Sequence, residues 1–202
     1  MFTKLKKTID SKINFSISED RKEILQPLID FIQVKVNKQE EVMLNFICTH
    51  NSRRSHLSQI WAQTMAFQFG IQNVYCYSGG TEATTIFPKV LETLLKHGFK
   101  IQQLSKEENP IYAIKFNEDQ NPIICYSKEY SDDFNPKNHY AAIMTCNSAD
   151  EGCPMVFGAE ARFPIKYDDP KTFDGTEVMD EKYLERSIEI ASEMFYVFSQ
   201  IK

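Results

Sequence analysis

Apolar residues recur at helical spacing from Ser16 to Val36 (SISEDRKEILQPLIDFIQVKV), and Ser16 with Glu19 three positions later forms a capping box at the start. Pro27 falls inside this run. Because proline removes a backbone donor and clashes with the preceding turn, the pattern predicts two short helices or one kinked helix. VMLNFI (42–47) is a short apolar run that stops abruptly at the polar octet CTHNSRRS. After it, SHLSQIWAQTMAFQFG places Leu57, Ile60, Trp61, Thr64, Met65 and Phe69 on one helical stripe, closed by Gly70. NVYCYSGG predicts a strand ending in glycines, and FPKVLETLLKHG from Phe87 a helix closed by Gly98. Strand, loop, helix, strand, helix is the pattern of an α/β fold with parallel strands.

From Asn109 to Tyr130 that rhythm breaks. PIYAIKF and PIICYS are β-like runs separated by the polar turn NEDQN, which predicts a β-hairpin. YAAIMT (140–145) returns as a buried strand, followed by a long polar segment carrying Cys146, Cys153 and the dipeptide Asp169–Pro170. The last element is a helix over roughly Met179 to Phe198, and no internal repeat is present.

Composition narrows the function classes. The chain has 202 residues, 42% hydrophobic and 25% charged, with a net charge of −5, which excludes disordered and low-complexity classes. The acidic excess sits between Cys146 and Arg186, and elsewhere the signs cancel. Without a basic excess, no nucleic-acid partner is expected, although a small pocket for one anion is compatible with this balance. No run of about 18 apolar residues exists, so no membrane partner is expected. The basic N-terminus has no apolar core behind it, so a cytoplasmic location is expected.

The chemistry concentrates in cysteines and in the octet. Five cysteines in a chain without an export signal argue against a disulfide framework. Cys76 and Cys125 lie inside apolar, β-prone runs and are expected to be packing residues. Cys48 instead closes an apolar strand, while Arg54 and Ser55 open an amphipathic helix. Between them, the backbone N–H groups of Thr49, His50, Asn51, Ser52, Arg53, Arg54 and Ser55 can curl around one tetrahedral oxyanion, helped by the helix N-terminus. A cysteine ringed by N–H donors beside a guanidinium has its thiolate favoured and becomes a nucleophile at neutral pH. Arg54 can hold two oxygens of a dianion at once. Ser55 can donate to the thiolate, Asn51 can brace the loop, and Arg53 adds a second cation beside the pocket.

Cys-x5-Arg-Ser after a strand resembles the phosphate-binding loop of the low-molecular-weight protein tyrosine phosphatase superfamily, which includes the thioredoxin-coupled arsenate reductases. CYSGGTEA (76–83) is similar to the second-strand segment of those proteins, and KYDDP places Asp169 before a proline as in their general-acid loop. The resemblance covers Val42 to the C-terminus apart from the hairpin. It implies a three-layer α/β fold with a four-stranded parallel sheet for a catalytic domain spanning 41–202; the helical pattern before it is then an N-terminal extension (1–40), and the β-like runs within it a hairpin insertion (about 109–130). It also implies that Asp169, rather than Asp168, protonates the departing oxygen.

TCNSADEGCP puts Cys146 at a strand end and Cys153 seven positions later, similar to the redox pair of the arsenate reductases. The implied relay runs from Cys48 to Cys146 to Cys153 and on to thioredoxin. No metal site is expected, since His139 is the only histidine near the pair, and no cofactor is implied. Arsenate reduction is thus the leading expectation. A phosphatase working through a cysteinyl-phosphate and a non-catalytic oxyanion-binding module are the alternatives. Lys171 stands where an aromatic residue would stack on a phosphotyrosine ring, and Tyr167 and Phe173 are the aromatics left to form such a wall. Gln59 stands where the reductases carry a glutamate.

Overall fold

The computed structural model describes residues 1–13, 16–152 and 155–202. In chain order the elements are α1 (Thr3–Lys12), α2 (Glu19–Asn37), β1 (Val42–Cys48), α3 (Arg54–Gln68), β2 (Val74–Gly80), α4 (Pro88–His97), β3 (Lys100–Gln103), β4 (Tyr112–Lys115), β5 (Ile123–Cys125), β6 (Tyr140–Met144), α5 (Asn147–Gly152), β7 (Ala159–Phe163), a 3-10 turn (Pro170–Phe173) and α6 (Met179–Ser199). Four strands form a parallel sheet in the order β2-β1-β6-β7, and β3-β4-β5 form a separate antiparallel sheet. The expected fold class is therefore present.

Alternation along the strands divides the core between the two faces of the parallel sheet. Val42, Leu44 and Phe46 of β1, with Ala141 and Ile143 of β6, join the large cluster formed with α2, α3, α4 and α6. Ile47 and Cys48, with Tyr140, Ala142 and Met144, join a smaller cluster closed by Ala149 of α5 and by Val156. Leu5 and Ile9 of α1 lie in the large cluster too, so the N-terminal helices share the main core.

Of the two forms expected over Ser16 to Val36, the single helix is present: α2 continues through Pro27, and Leu25, Leu28, Ile29 and Ile32 bury its inner face on both sides of the proline. Three other expectations need correction. The cap of α2 is Ser18, whose hydroxyl accepts from Arg21 N–H, rather than Ser16. The predicted hairpin is the β4–β5 pair, but it carries a third strand, β3, of mostly exposed polar residues. Within the segment expected to be merely polar, α5 and β7 both form, β7 pairing with β6 at the sheet edge.

Candidate functional site

In an open parallel sheet, ligands bind beyond the C-terminal ends of the strands, where the connections diverge to opposite sides. Here that point lies between β1 and β6. Their register pairs Ile47 with Met144, and the Thr145 N–H donates to Ile47 O at 2.8 Å. The ends of these two strands carry Cys48 and Cys146. Both are buried, and the Cys146 sulfur lies 3.5 Å from the Thr49 hydroxyl.

The octet after β1 forms a loop whose carbonyls all point outward, each with its own donor. Cys48 O accepts from Thr81 N–H at 3.1 Å, Thr49 O from Glu82 N–H at 3.0 Å, Ser52 O from Phe87 N–H at 3.1 Å and Arg53 O from Leu57 N–H at 3.1 Å. His50 O takes the Ser127 and Thr84 hydroxyls at 2.9 and 3.1 Å, and Asn51 O meets His56 Nε2 at 2.8 Å. With the carbonyls turned out, the N–H groups of Thr49 to Arg54 are left without an acceptor among the described residues, at the N-terminus of α3. That is the electrostatic signature of an anion cradle. Gly80 is required beside it, since a Cβ there would stand 2.4 Å from Glu82 O and 2.6 Å from Thr49 O.

The side chains follow the same logic. Asn51, at a positive φ of 43°, donates from Nδ2 to Ser55 Oγ at 2.8 Å and accepts the Lys128 N–H at 3.0 Å. Because Ser55 Oγ already accepts from Asn51, its own proton is free to point at the Cys48 sulfur, 3.1 Å away. Arg54 donates to Tyr167 O at 3.0 Å and to an Asp169 carboxylate oxygen at 2.5 Å. The other Asp169 oxygen caps the 3-10 turn by accepting Lys171 N–H at 3.0 Å. Asp168, by contrast, is solvent-exposed and pairs with Arg186 on α6. At the rim, His50 Nδ1 stands 2.6 Å from a Glu82 carboxylate oxygen.

Arg53 departs from expectation. Its Nε donates to Tyr183 Oη at 2.6 Å, its Nη2 pairs with Asp174 at 2.6 Å, and its guanidinium lies 4.0 Å from the Phe87 ring centre. Its charge is therefore spent anchoring α3 to α6 and is not a second cation in the pocket. Tyr167 is also turned away, buried under the Arg21 guanidinium, so it forms no wall for a substrate ring. Phe173 lies beside Lys182, and Lys171 is exposed. Cys153 lies outside the described residues.

Cys76 and Cys125 are buried packing residues as expected. Burial holds both as thiols, pushing Cys125 up to about 12. Gln59 spans them, donating to Cys76 O at 3.0 Å and facing the Cys125 sulfur. Three residues behind the loop had no signal in the pattern: Ser127, Lys128 and His56. Burial lowers His56 to about 3, with the Lys128 charge adding to the effect, so the imidazole is neutral at physiological pH. No cluster of metal-ligating side chains occurs among the described residues, and no helix among them is long and apolar enough to cross a membrane.

Residues 43–119 match the family model of low molecular weight phosphotyrosine protein phosphatases, a family of enzymes. No curated protein sequence matches the chain. Among solved structures, the low molecular weight protein tyrosine phosphatase from T. tengcongensis superposes with a TM-score of 0.54 at 15% identity, covering 80% of this chain and 100% of that one. A YwlE mutant from Bacillus subtilis gives 0.53 at 14% identity, covering 79% and 98%. The YwlE arginine phosphatase from Geobacillus stearothermophilus gives 0.51 at 13%, covering 78% and 91%. These findings bear out the resemblance carried by Cys48, Arg54 and Ser55, and at such identities the structural likeness speaks to the fold.

Proposed function

We propose that the chain is a cysteine-dependent arsenate reductase of the low-molecular-weight phosphatase type, with residues 41–202 as the catalytic domain and 1–40 as an extension packed onto it. The observation that supports this reading above all is the buried Cys146 sulfur 3.5 Å from the hydroxyl of Thr49, the residue directly after the nucleophile. Cys48 attacks arsenic as a thiolate, held by Ser55, while the loop amides and Arg54 bind the equatorial oxygens. The departing hydroxyl takes a proton from Asp169 and leaves as water. Cys146, as a thiolate, then attacks the Cys48 sulfur. The sulfur–arsenic bond breaks, its electron pair stays on arsenic, and arsenite leaves behind a Cys48–Cys146 disulfide. Cys153 exchanges into that disulfide, and the dithiol of thioredoxin reduces it.

A second reading, favoured by the description of the family model, is a phosphatase that forms a cysteinyl-phosphate at Cys48. With Lys171 after Pro170 and Tyr167 turned toward Arg21, Phe173, which lines a cavity with Asp169 and Pro170, is the aromatic of the Asp-Pro loop left to meet a substrate ring, so this reading covers phosphotyrosine and small phosphomonoesters alike. One paired assay separates the two: arsenate turnover with thioredoxin and its reductase, against phosphate release from p-nitrophenyl phosphate. Cys146→Ser and Cys153→Ser are each expected to lose arsenate turnover by about 100-fold or more while keeping ester hydrolysis within about threefold. If both variants reduce arsenate at the wild-type rate, or the wild type reduces none, the reductase reading fails.

A further inference from the structure

Lys128 is 2% exposed and ranks among the largest fully buried side chains of the molecule. Its ammonium has one weak hydrogen bond, to Tyr126 O at 3.4 Å, and lies over the rings of Tyr126 (4.5 Å) and Phe134 (5.4 Å). No carboxylate reaches it as an ion pair among the described residues. The titratable groups facing it are His56 from α3, Cys125 from β5 and Asp132 from its own segment. None of them neutralises it. His56 is uncharged, Cys125 is a thiol, and the Asp132 carboxylate accepts from Tyr126 Oη and Phe134 N–H instead. A buried charge without a partner is costly, and burial brings this ammonium down to about 8.

The position of Lys128 indicates what offsets that cost. Its own N–H donates to Asn51 Oδ1, its carbonyl accepts from Gly80 N–H, and Ser127 before it holds His50 O. The backbone of Lys128 is therefore part of the wall behind the Cys48 loop, and its charge acts on His56, whose Nε2 meets the loop at Asn51 O. We propose that Lys128 is a fixed counter-charge for the anion held in this loop, a positioning residue whose protonation and the occupancy of the loop favour one another. The proposal rests on the oxyanion role given to the loop under Proposed function, and goes beyond it by assigning part of the attraction to a residue outside the octet. At low effective dielectric, a charge several residues away still acts on a dianion, and by linkage the anion raises the proton affinity of Lys128 as much as the proton raises anion affinity.

The test uses sulfate, a dianion across the whole working range, titrated calorimetrically into the full-length Cys48→Ser protein so that no thiol in the loop ionises. With Lys128 present, affinity is expected to fall about tenfold between about pH 7.5 and pH 9.5. Lys128→Met is expected to bind about tenfold more weakly at pH 7.5 and to lose that pH dependence, and Lys128→Arg to restore binding without it. As a measurement independent of any change at position 128, NMR of lysine labelled at Cε follows the Lys128 titration directly. Its midpoint should rise by about one unit on saturation with sulfate, which is the same tenfold coupling. Equal sulfate affinity in Lys128→Met, or an unmoved midpoint, overturns the proposal. A protein that binds no sulfate even at pH 6.5 overturns the oxyanion reading of the loop itself, which is a different failure.

Discussion

Asp169 does two things with one carboxylate: it holds the Arg54 guanidinium through one oxygen and caps the turn after it through the other. An anion that takes the Arg54 guanidinium, as proposed, therefore competes with Asp169 for it. Asp169→Asn should consequently split the kinetic parameters. If Asp169 is the proton donor of the proposed mechanism, its loss lowers kcat by about 10²- to 10³-fold, whereas release of the guanidinium leaves KM unchanged or lower. A steady-state comparison in which KM instead rises severalfold would show that the carboxylate helps to bind substrate. The octet residues were legible in the sequence because Cys48, the loop and Arg54 are contiguous, and the strand before and helix after them were periodic. Thr81, Thr84, Ser127, His56 and Lys128 were not, since each meets the loop through only one or two polar atoms, mostly from far along the chain, and so few contacts leave no pattern. Arg53 was misjudged for the same reason: Asp174 and Tyr183, which hold it, lie 121 and 130 residues away.

At the level of elements, polar strands and a tolerated proline account for what the pattern did not show. β3 and β7 carry too few apolar residues to stand out, because each lies at an edge of its sheet. β2 is the opposite edge of the main sheet, and its outer backbone groups are matched by side chains of α3. Gln63 donates to Val74 O at 2.9 Å and accepts Cys76 N–H at 2.9 Å, while Gln59 donates to Cys76 O. A single amide thus supplies the donor and acceptor that a neighbouring strand would have offered, which blunts an otherwise adhesive edge. Gln63→Leu leaves both backbone groups without a partner. An expected loss of about 1–3 kcal/mol in urea unfolding, with faster aggregation by light scattering, checks this; unchanged stability and solubility would show that the edge needs no cover.

For the molecule as a whole, two buried histidines set the acid limit of stability. Burial, aided by nearby lysines, lowers His97 to about 4, and His56 is lowered to about 3. Both imidazoles are neutral in the folded protein but take up protons near pH 6.5 once unfolded. The unfolded state therefore binds more protons as pH falls, and stability is lost from about pH 6.5 downward through the folded values. At pH 5 each contributes a loss of about 2 kcal/mol, so the thermal midpoint should drop between pH 6.5 and 5. His97→Phe, which keeps a ring against Trp61, should remove about half of that drop. A midpoint that stays level over this range would mean that the two rings open to solvent or find acceptors when charged.

The outward-turned carbonyls of residues 48–53 also bear on how the protein is made. Their partners come from His56, Leu57, residues 81–87 and Ser127, and Asp169 arrives later still. A ribosome that has released the chain only as far as α3 exposes Cys48 without most of the partners that turn the carbonyls of its loop outward. The loop can thus take its folded form only after Ser127 has emerged, and the chemistry proposed for it waits for Asp169 as well.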